Sequence, residues 1–125
     1  MRQQYHFHAT TNGVLIWDVL GLIELAKDFP VFQLPLCDIS ELDQTFWFDN
    51  NDDQPTCRRI AQHAKLIQEA NLAHPIILSR NGRVMDGMHR VCKALIQGRK
   101  SIAAVQFEID PEPDFKDIAP GDLPY

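Results

Sequence analysis

The stretch "RVMDGMHRVCKALIQG", residues 83–98, decides how the chain reads. A short apolar run, Val84 and Met85, meets Asp86 and Gly87, and a helical pattern with Val91, Ala94 and Leu95 on one face then runs to Gly98. The helix opens on Met88, His89 and Arg90. That places a cation and a titratable ring at the pole where unpaired amides already carry about half a positive charge. One explanation is an anion among them. Gly87 lets the backbone turn sharply, the N–H groups of residues 88–90 point outward, and His89 and Arg90 add charge-assisted hydrogen bonds to phosphate. The other is that Asp86 neutralises Arg90 as an i, i+4 pair on the helix surface.

Working outward, "HPIILSRNGRVMDG", residues 74–87, has two apolar runs around Asn81-Gly82. This predicts a type I′ hairpin with positive φ at both central positions, pairing residues 76–80 with 83–86. Before it, residues 55–71 carry Cys57, Ile60, Ala64, Ile67 and Ala70 on one helical face. Asp53 or Gln54 is the expected cap, Pro55 falls in the first turn, and Asn71 ends the helix in a left-handed conformation. After Gly98 a last strand is expected over residues 101–109.

Toward the N-terminus, residues 14–29 have Val14, Trp17, Leu20, Leu22, Ile23, Leu25 and Ala26 near helical spacing with Pro30 directly after, so a helix is predicted. Residues 31–39 alternate as a strand whose Pro35 suits a sheet edge. Ser40 with Asp43 three residues on has a capping-box pattern that starts a short helix. "DNNDDQP", residues 49–55, is a polar loop, and "PEPDFKDIAPGDLPY", residues 111–125, has four prolines. This tail is expected to run extended, forming no helix or strand of its own, pinned by Phe115, Ile118 and Leu123.

Bulk properties narrow the function. A chain of 125 residues, 45% hydrophobic, fits one domain with a core of its own. Twelve Lys and Arg against seventeen Asp and Glu leave a net charge of -5, the wrong sign for a protein that neutralises many phosphates of duplex DNA. Three cysteines, Cys37, Cys57 and Cys92, with no CxxC spacing indicate neither a disulfide framework nor a zinc site. No apolar run is long enough to span a membrane, and the N-terminus lacks the apolar stretch of a secretory signal, so a cytoplasmic protein is expected.

Other residues carry paired readings. Arg58 and Arg59 again put cations at the start of a helix, either as a second wall of the anion pocket or neutralised by Asp52 and Asp53. His63 lies between Ile60 and Ile67 and reads as a core histidine unless it faces His89. His6 and His8 share a side of any strand there, but two ligands without a third make a weak metal site. Trp47 and Phe48 stack on a base or cover the core.

From residue 31 to residue 109 the order of elements, with "DGMHR" at residues 86–90, resembles the ParB/sulfiredoxin superfamily. In partition proteins that turn is a Gly-Glu-Arg-Arg type motif around CTP, in sulfiredoxins a Gly-Cys-His-Arg type motif around ATP, and in free serine kinases an Asp-Gly-x-His-Arg type motif, the form most similar here. The resemblance implies an α+β domain: a small mixed sheet with flanking helices over residues 31–110, preceded by an N-terminal segment, 1–30, and followed by the tail, 111–125. It implies nucleotide or phosphate binding by Asp86, Gly87, Met88, His89 and Arg90, with Arg58 and Arg59 beside them. The nucleotide would be ATP or ADP, with CTP as a further option, and Mg²⁺ could accompany it. Glu41 or Asp43 would stand where the serine kinases keep an acidic residue and, with His89, carry catalysis by a phosphotransferase or NTPase acting on a small molecule. The unpaired readings for Glu41 and Asp43 place them in the capping box instead.

Departures from the family limit this. Met88 stands where sulfiredoxins carry their reactive cysteine, and a thioether forms no thiolate. No helix-turn-helix follows, and an acidic tail takes its place. The alternatives are a non-catalytic module that docks on a protein partner or a second copy, and, ranked last, a ParB-like nuclease, for which the chain offers no dense cluster of metal ligands.

Overall fold

Asn12-Gly13 reverses the chain after β1, Tyr5–Thr10, and returns it as β2, Gly13–Asp18, in antiparallel register from Tyr5↔Asp18 to Thr10↔Gly13. The structure, a computed structural model, describes residues 3–48 and 53–125. β2 corrects the expectation of one helix over 14–29. Val14, Leu15, Ile16 and Trp17 are β-branched, apolar or aromatic and pair as a strand, and only then does Asp18 cap α1, Val19–Ala26, by accepting the Leu20 N–H at 3.0 Å.

β3, Phe32–Pro35, is followed by 3₁₀ turns at Leu36–Asp38 and Ser40–Asp43. The capping box does not form: no side chain caps the second turn, and the Ser40 hydroxyl donates instead to Glu41 Oε1 at 3.2 Å. α2 is Cys57–Glu69, capped by Thr56, whose hydroxyl accepts the Arg59 N–H at 3.2 Å. Pro55 therefore precedes the cap rather than occupying the first turn, and neither Asp53 nor Gln54 is the cap. Asn71 does not adopt positive φ; its Oδ1 accepts the Ala73 N–H at 2.9 Å in a side-chain turn just past the helix.

β4, Ile76–Leu78, and β5, Val84–Asp86, form the expected hairpin, with an irregularity between Ile77 and Leu78. Its turn is not type I′. Of Asn81 and Gly82 only Gly82 has positive φ, at 80°, and its N–H reaches Ser79 O at 2.9 Å, the pattern of a three-residue connection with one left-handed glycine. α3, Met88–Ile96, ends before Gly98 at φ 74°, and β6, Ser101–Gln106, stops three residues short of the expected strand.

The resulting sheet has order β3-β6-β4-β5, with β6 antiparallel to β3 and parallel to β4. It is mixed, its Pro35 lies on an edge strand, and the chain is an α+β domain. Both faces of the sheet are buried, which explains the unbroken apolar run in "HPIIL". Ile76, Leu78, Val84 and Ala104 pack with Leu36, Met88, Val91 and Ala94 on one side, while Ile77, Met85 and Val105 pack with Trp17, Leu22, Ala26 and Phe107 on the other.

The tail contributes a strand after all. β7, Phe115–Lys116, pairs with β2 and completes a second sheet of order β1-β2-β7. Leu123 is buried and Phe115 and Ile118 are half-buried, but the acidic side chains also hold the tail. Asp110 accepts the N–H of Arg80 at 2.7 Å, Asp114 that of Asp18 at 2.8 Å, and Asp117 that of Val14 at 2.8 Å. Each carboxylate accepts from a backbone donor far away in the sequence and so ties the tail to the body of the domain.

α2 also departs from expectation. Cys57, Ile60 and Ala64 are exposed, and the residue buried on this helix is His63, with Arg59, Leu66, Ile67 and Ala70 half-buried around it. Polar anchors set the rotation of the helix: Lys93 Nζ donates to Gln68 O at 2.9 Å and Ala70 O at 2.6 Å, supplying a cation to the carbonyl end of α2.

Candidate functional site

Gly87 caps α3 in the left-handed region, φ 108°, ψ 21°, and so turns the chain from β5 into the helix. Space demands glycine as well: a Cβ there would lie 2.6 Å from Ile76 Cγ2 and 3.1 Å from Arg90 Cζ. Val91 is the first α3 amide with an intrahelical acceptor, Gly87 O at 3.0 Å. Met88 is buried in the core beneath.

The excess cation at this pole has internal partners. Arg90 Nη2 donates to Asp86 Oδ2 at 2.7 Å, and Nη1 donates to His74 O at 2.9 Å and Pro75 O at 2.7 Å. Their side chains are only 13% and 12% exposed, so the pair fastens the β5–α3 turn to the segment entering β4. Arg59 is likewise engaged. Its Nε and Nη2 grip the two oxygens of Asp53 at 2.8 and 3.0 Å, and Nη1 donates to Gln62 Oε1 at 2.8 Å. The Asp53 carboxyl is held below its ordinary range by that hydrogen bond, and the Arg59 guanidinium above its own. Asp52, the other expected counter-ion, lies outside the described residues. Arg58 is exposed.

The histidines do face one another. His63 Nδ1 lies 2.8 Å from His89 Nε2, joining α2 to α3. Trp47, arriving from the segment after the second 3₁₀ turn, stacks on both rings, 4.3 Å from His63 at 20° and 4.5 Å from His89 at 15°. Phe48 meets His63 edge-on at 5.4 Å. Arg59 Nη2 also reaches His63 Nε2 at 3.4 Å, so Asp53, Arg59, His63 and His89 form one connected line. Burial, followed by the nearby Arg59 charge, lowers the His63 pKa, with Asp53 opposing. The net effect favours the neutral imidazole.

Glu41 is 5% exposed, and its Oε2 accepts the Val84 N–H at 2.6 Å, satisfying a donor on the edge strand β5. Asp43 is exposed. A cleft of about 2360 Å³ brings together Glu41, Asp43, Trp47, Arg59, Asp86 and His89. It exceeds the roughly 300–1,000 Å³ of a small-molecule pocket because it is a broad, half-open groove. Arg58 is not among its lining residues. Among the described residues no three His, Cys, Asp or Glu side chains converge as metal ligands would. Glu41 is committed to Val84 and Asp86 to Arg90, so the described carboxylates do not make a Mg²⁺ cage; a Mg²⁺ ion fits here only as one carried on phosphate oxygens.

His6, on β1, lines the same cleft, its ring 5.8 Å from Trp17. Burial first, then the charge of His8, depresses its pKa to about 4, with Arg83 acting in the same direction and Glu41 against it. Between pH 6.5 and about 4 the unfolded chain therefore takes a proton that the folded chain refuses. This contribution to stability is complete above pH 6.5, is lost as pH falls through that window, and levels off below it. We expect His6→Phe, which keeps a ring against Trp17, to remove about 2–3 kcal/mol of acid destabilisation, read as the difference from wild type in urea midpoints at pH 7.5 and 4. Parallel loss in both proteins would mean His6 titrates normally.

No protein-family model, curated protein or solved structure matches the chain. Sequence reasoning placed the glycine turn and both alternatives for Arg90. It offered Asp53 as a counter-ion of Arg59, and that pair forms; it missed that the pair backs His63 and that Trp47 covers both histidines. Among the described residues no helix is long and apolar enough to cross a membrane.

Proposed function

We propose that this chain is a nucleotide- or phosphate-binding protein of ParB/sulfiredoxin-like design, acting as an ATP- or ADP-dependent phosphotransferase or NTPase on a small molecule in the cytoplasm. The observation that carries the reading is the His63–His89 pair at the amide pole of α3, in which buried His63 is backed by Arg59 and His89 lines the cleft. Donors and positive partial charge gather there, and an arriving phosphate would complement all of them at once.

The residues divide the work differently from the motif-based expectation. Arg90 holds the turn, and the anion is taken by the first-turn amides of α3 with His89. Trp47 closes one side of the imidazoles, and Asp43 is the exposed carboxylate available to orient an acceptor hydroxyl. Mg²⁺, when present, would neutralise phosphate charge as part of the nucleotide.

Thermal unfolding with ATP, ADP, CTP and GTP, each with and without Mg²⁺, tests this. A ligand at a hundred times its dissociation constant should add about 2.7 kcal/mol of apparent stability. The effect should vanish in His89→Asn, which leaves the Asp86–Arg90 pair intact. No shift with any of them would overturn the reading. A second reading, a non-catalytic docking module, is favoured by the exposure of Ile60 at 54%, Leu95 at 53% and Ile96 at 74%; it predicts a defined complex or dimer without turnover.

A further inference from the structure

We propose that β1, Tyr5–Thr10, is a docking edge at which two copies of this chain join antiparallel, so that the sheet β1-β2-β7 continues across a two-fold axis into that of the second copy. This surface is separate from the histidine pair and does not rest on nucleotide binding.

In an antiparallel ladder alternate residues turn both backbone groups toward the neighbouring strand, and the residues between them turn both away. On β2 the residues turned away from β1 are identified by their partners. Val14 O accepts the Asp117 N–H and Ile16 O the Asp114 N–H, both at 2.9 Å, while the Val14 and Asp18 N–H groups donate to the Asp117 and Asp114 carboxylates at 2.8 Å. Opposite Val14, Ile16 and Asp18 on β1 stand Ala9, Phe7 and Tyr5. Those three residues therefore direct N–H and C=O outward. The Val19 N–H, donating to Gln4 O at 3.0 Å, gives the same phase one step before the strand. Among the described residues no hydrogen bond reaches the outward groups of Tyr5, Phe7 or Ala9.

The other edges are blunted. Leu36 N–H bonds Lys100 O on the β6 side, so β3 turns Gln33 and Pro35 outward, and proline has no N–H to offer. On β5 the outward Val84 N–H is taken by Glu41 Oε2, and β7 is two residues long. Among the described strands β1 alone keeps a long open edge. Every residue from Gln3 to Ala9 lines the cleft, so this edge looks onto space. The Tyr5 ring rests against Phe115 and Tyr125, which steadies the start of the strand.

The side chains choose the occupant. An axis at Phe7 sets it against the second copy's Phe7 and sets Tyr5 against the second copy's Ala9, so each outward N–H meets a C=O and each bulky ring at the ends meets a methyl group. Moving the axis to Tyr5 or Ala9 would pair Phe7 with a residue outside the strand. Two chains of net charge -5 repel, and they approach best where neither carries charge. Tyr5–Thr10 contains no Asp, Glu, Lys or Arg, and it lacks the lysine or proline that guards natural edges. Phe7, 39% exposed, is covered by its counterpart.

Sedimentation velocity of the full chain from about 1 μM to about 1 mM, with amide exchange followed at both ends of that range, tests the proposal. A monomer–dimer equilibrium is expected within it. Exchange should slow on dimerisation at the Tyr5, Phe7 and Ala9 amides, whereas His6 and His8, bonded to β2 in either state, should change little. Phe7→Lys places like charges on the axis, and Ala9→Pro removes an N–H that the monomer does not use; each should weaken dimerisation at least about tenfold. Circular dichroism at the lowest concentration checks that both variants fold. A chain still monomeric at the highest concentration overturns the inference, as does a dimer that keeps its affinity in both variants or protects amides of α2 and α3 instead. Protection of Tyr5, Phe7 and Ala9 only on adding an unrelated extended peptide also overturns it, since the edge then serves another partner.

Discussion

Gly87→Ala is expected to cost about 3–4 kcal/mol, while Gly82→Ala costs about 1 kcal/mol, although both glycines have positive φ, 108° and 80°. The backbone penalty is shared: an L-residue in the left-handed region pays roughly 1–2 kcal/mol. The difference is the neighbourhood. Nothing lies within 4 Å of a Cβ built on Gly82, so only that penalty applies. At Gly87 the new methyl would stand 2.6 Å from Ile76 Cγ2 and 3.0 Å from Ile76 Cβ. Ile76 is fully buried in β4, between β6 and β5, and cannot step aside without moving the sheet. Overpacking of that kind adds roughly 1–3 kcal/mol. Equilibrium urea unfolding of the two variants measures the contrast, and equal costs would show that the β5–α3 turn is looser than described. Because the turn aims the first amides of α3, Gly87→Ala should also weaken any nucleotide shift that remains.

How much of this was legible depended on the range of the signal. The turn at 86–90 is local: a glycine after a strand and an i, i+4 spacing place Asp86, Gly87 and Arg90 within one helical turn, and the pair forms. The N-terminal hairpin is equally local. Asn12-Gly13 is the same dipeptide that marks residues 81–82, yet the helical period running on through Leu20, Leu22 and Leu25 masked it. A short apolar run such as Val14 to Trp17 does not distinguish a buried strand from a buried helix segment. Asp18, the cap, was the dividing signal. α2 misled for a different reason. Its apolar period predicts burial of Ile60 and Ala64, but tertiary partners of Arg59, His63 and the α2 carbonyls rotate another face inward.

The site was legible in parts. His89 follows from the motif, and His63 was flagged on the condition that the two meet. That condition is tertiary, joining positions 26 residues apart. Trp47 lies in a segment with no period to place it, so nothing local separates a core aromatic from a cover over two imidazoles. The role of Asp53 needed both the loop path and the α2 rotation. Glu41 shows the converse: a candidate selected by position has its carboxylate committed to the Val84 N–H of an edge strand.

Removing one partner of the Asp86–Arg90 pair should be costlier than removing both. Asp86→Ala leaves a guanidinium 13% exposed with only the His74 and Pro75 carbonyls as acceptors, and Arg90→Ala leaves a carboxylate 12% exposed without its cation. An uncompensated charge so placed costs about 3–5 kcal/mol. The double variant Asp86→Leu/Arg90→Met carries no charge into that space and should lie well short of the sum, giving a coupling of about 2–3 kcal/mol in the cycle. Its loss should persist in 1 M salt, since screening acts weakly on buried pairs. The same cycle on Asp53–Arg59, with side chains 28% and 39% exposed, should give about 0.5–1 kcal/mol and shrink with salt. Additive costs for Asp86 and Arg90 would show that the two do not act as a unit. This pair also decides how binding data are read. If Arg90→Ala loosens the turn that aims the α3 amides, it abolishes nucleotide binding whether or not the guanidinium touches phosphate. His89→Asn, which spares the Asp86–Arg90 clamp, separates loss of the anion site from loss of the fold that builds it.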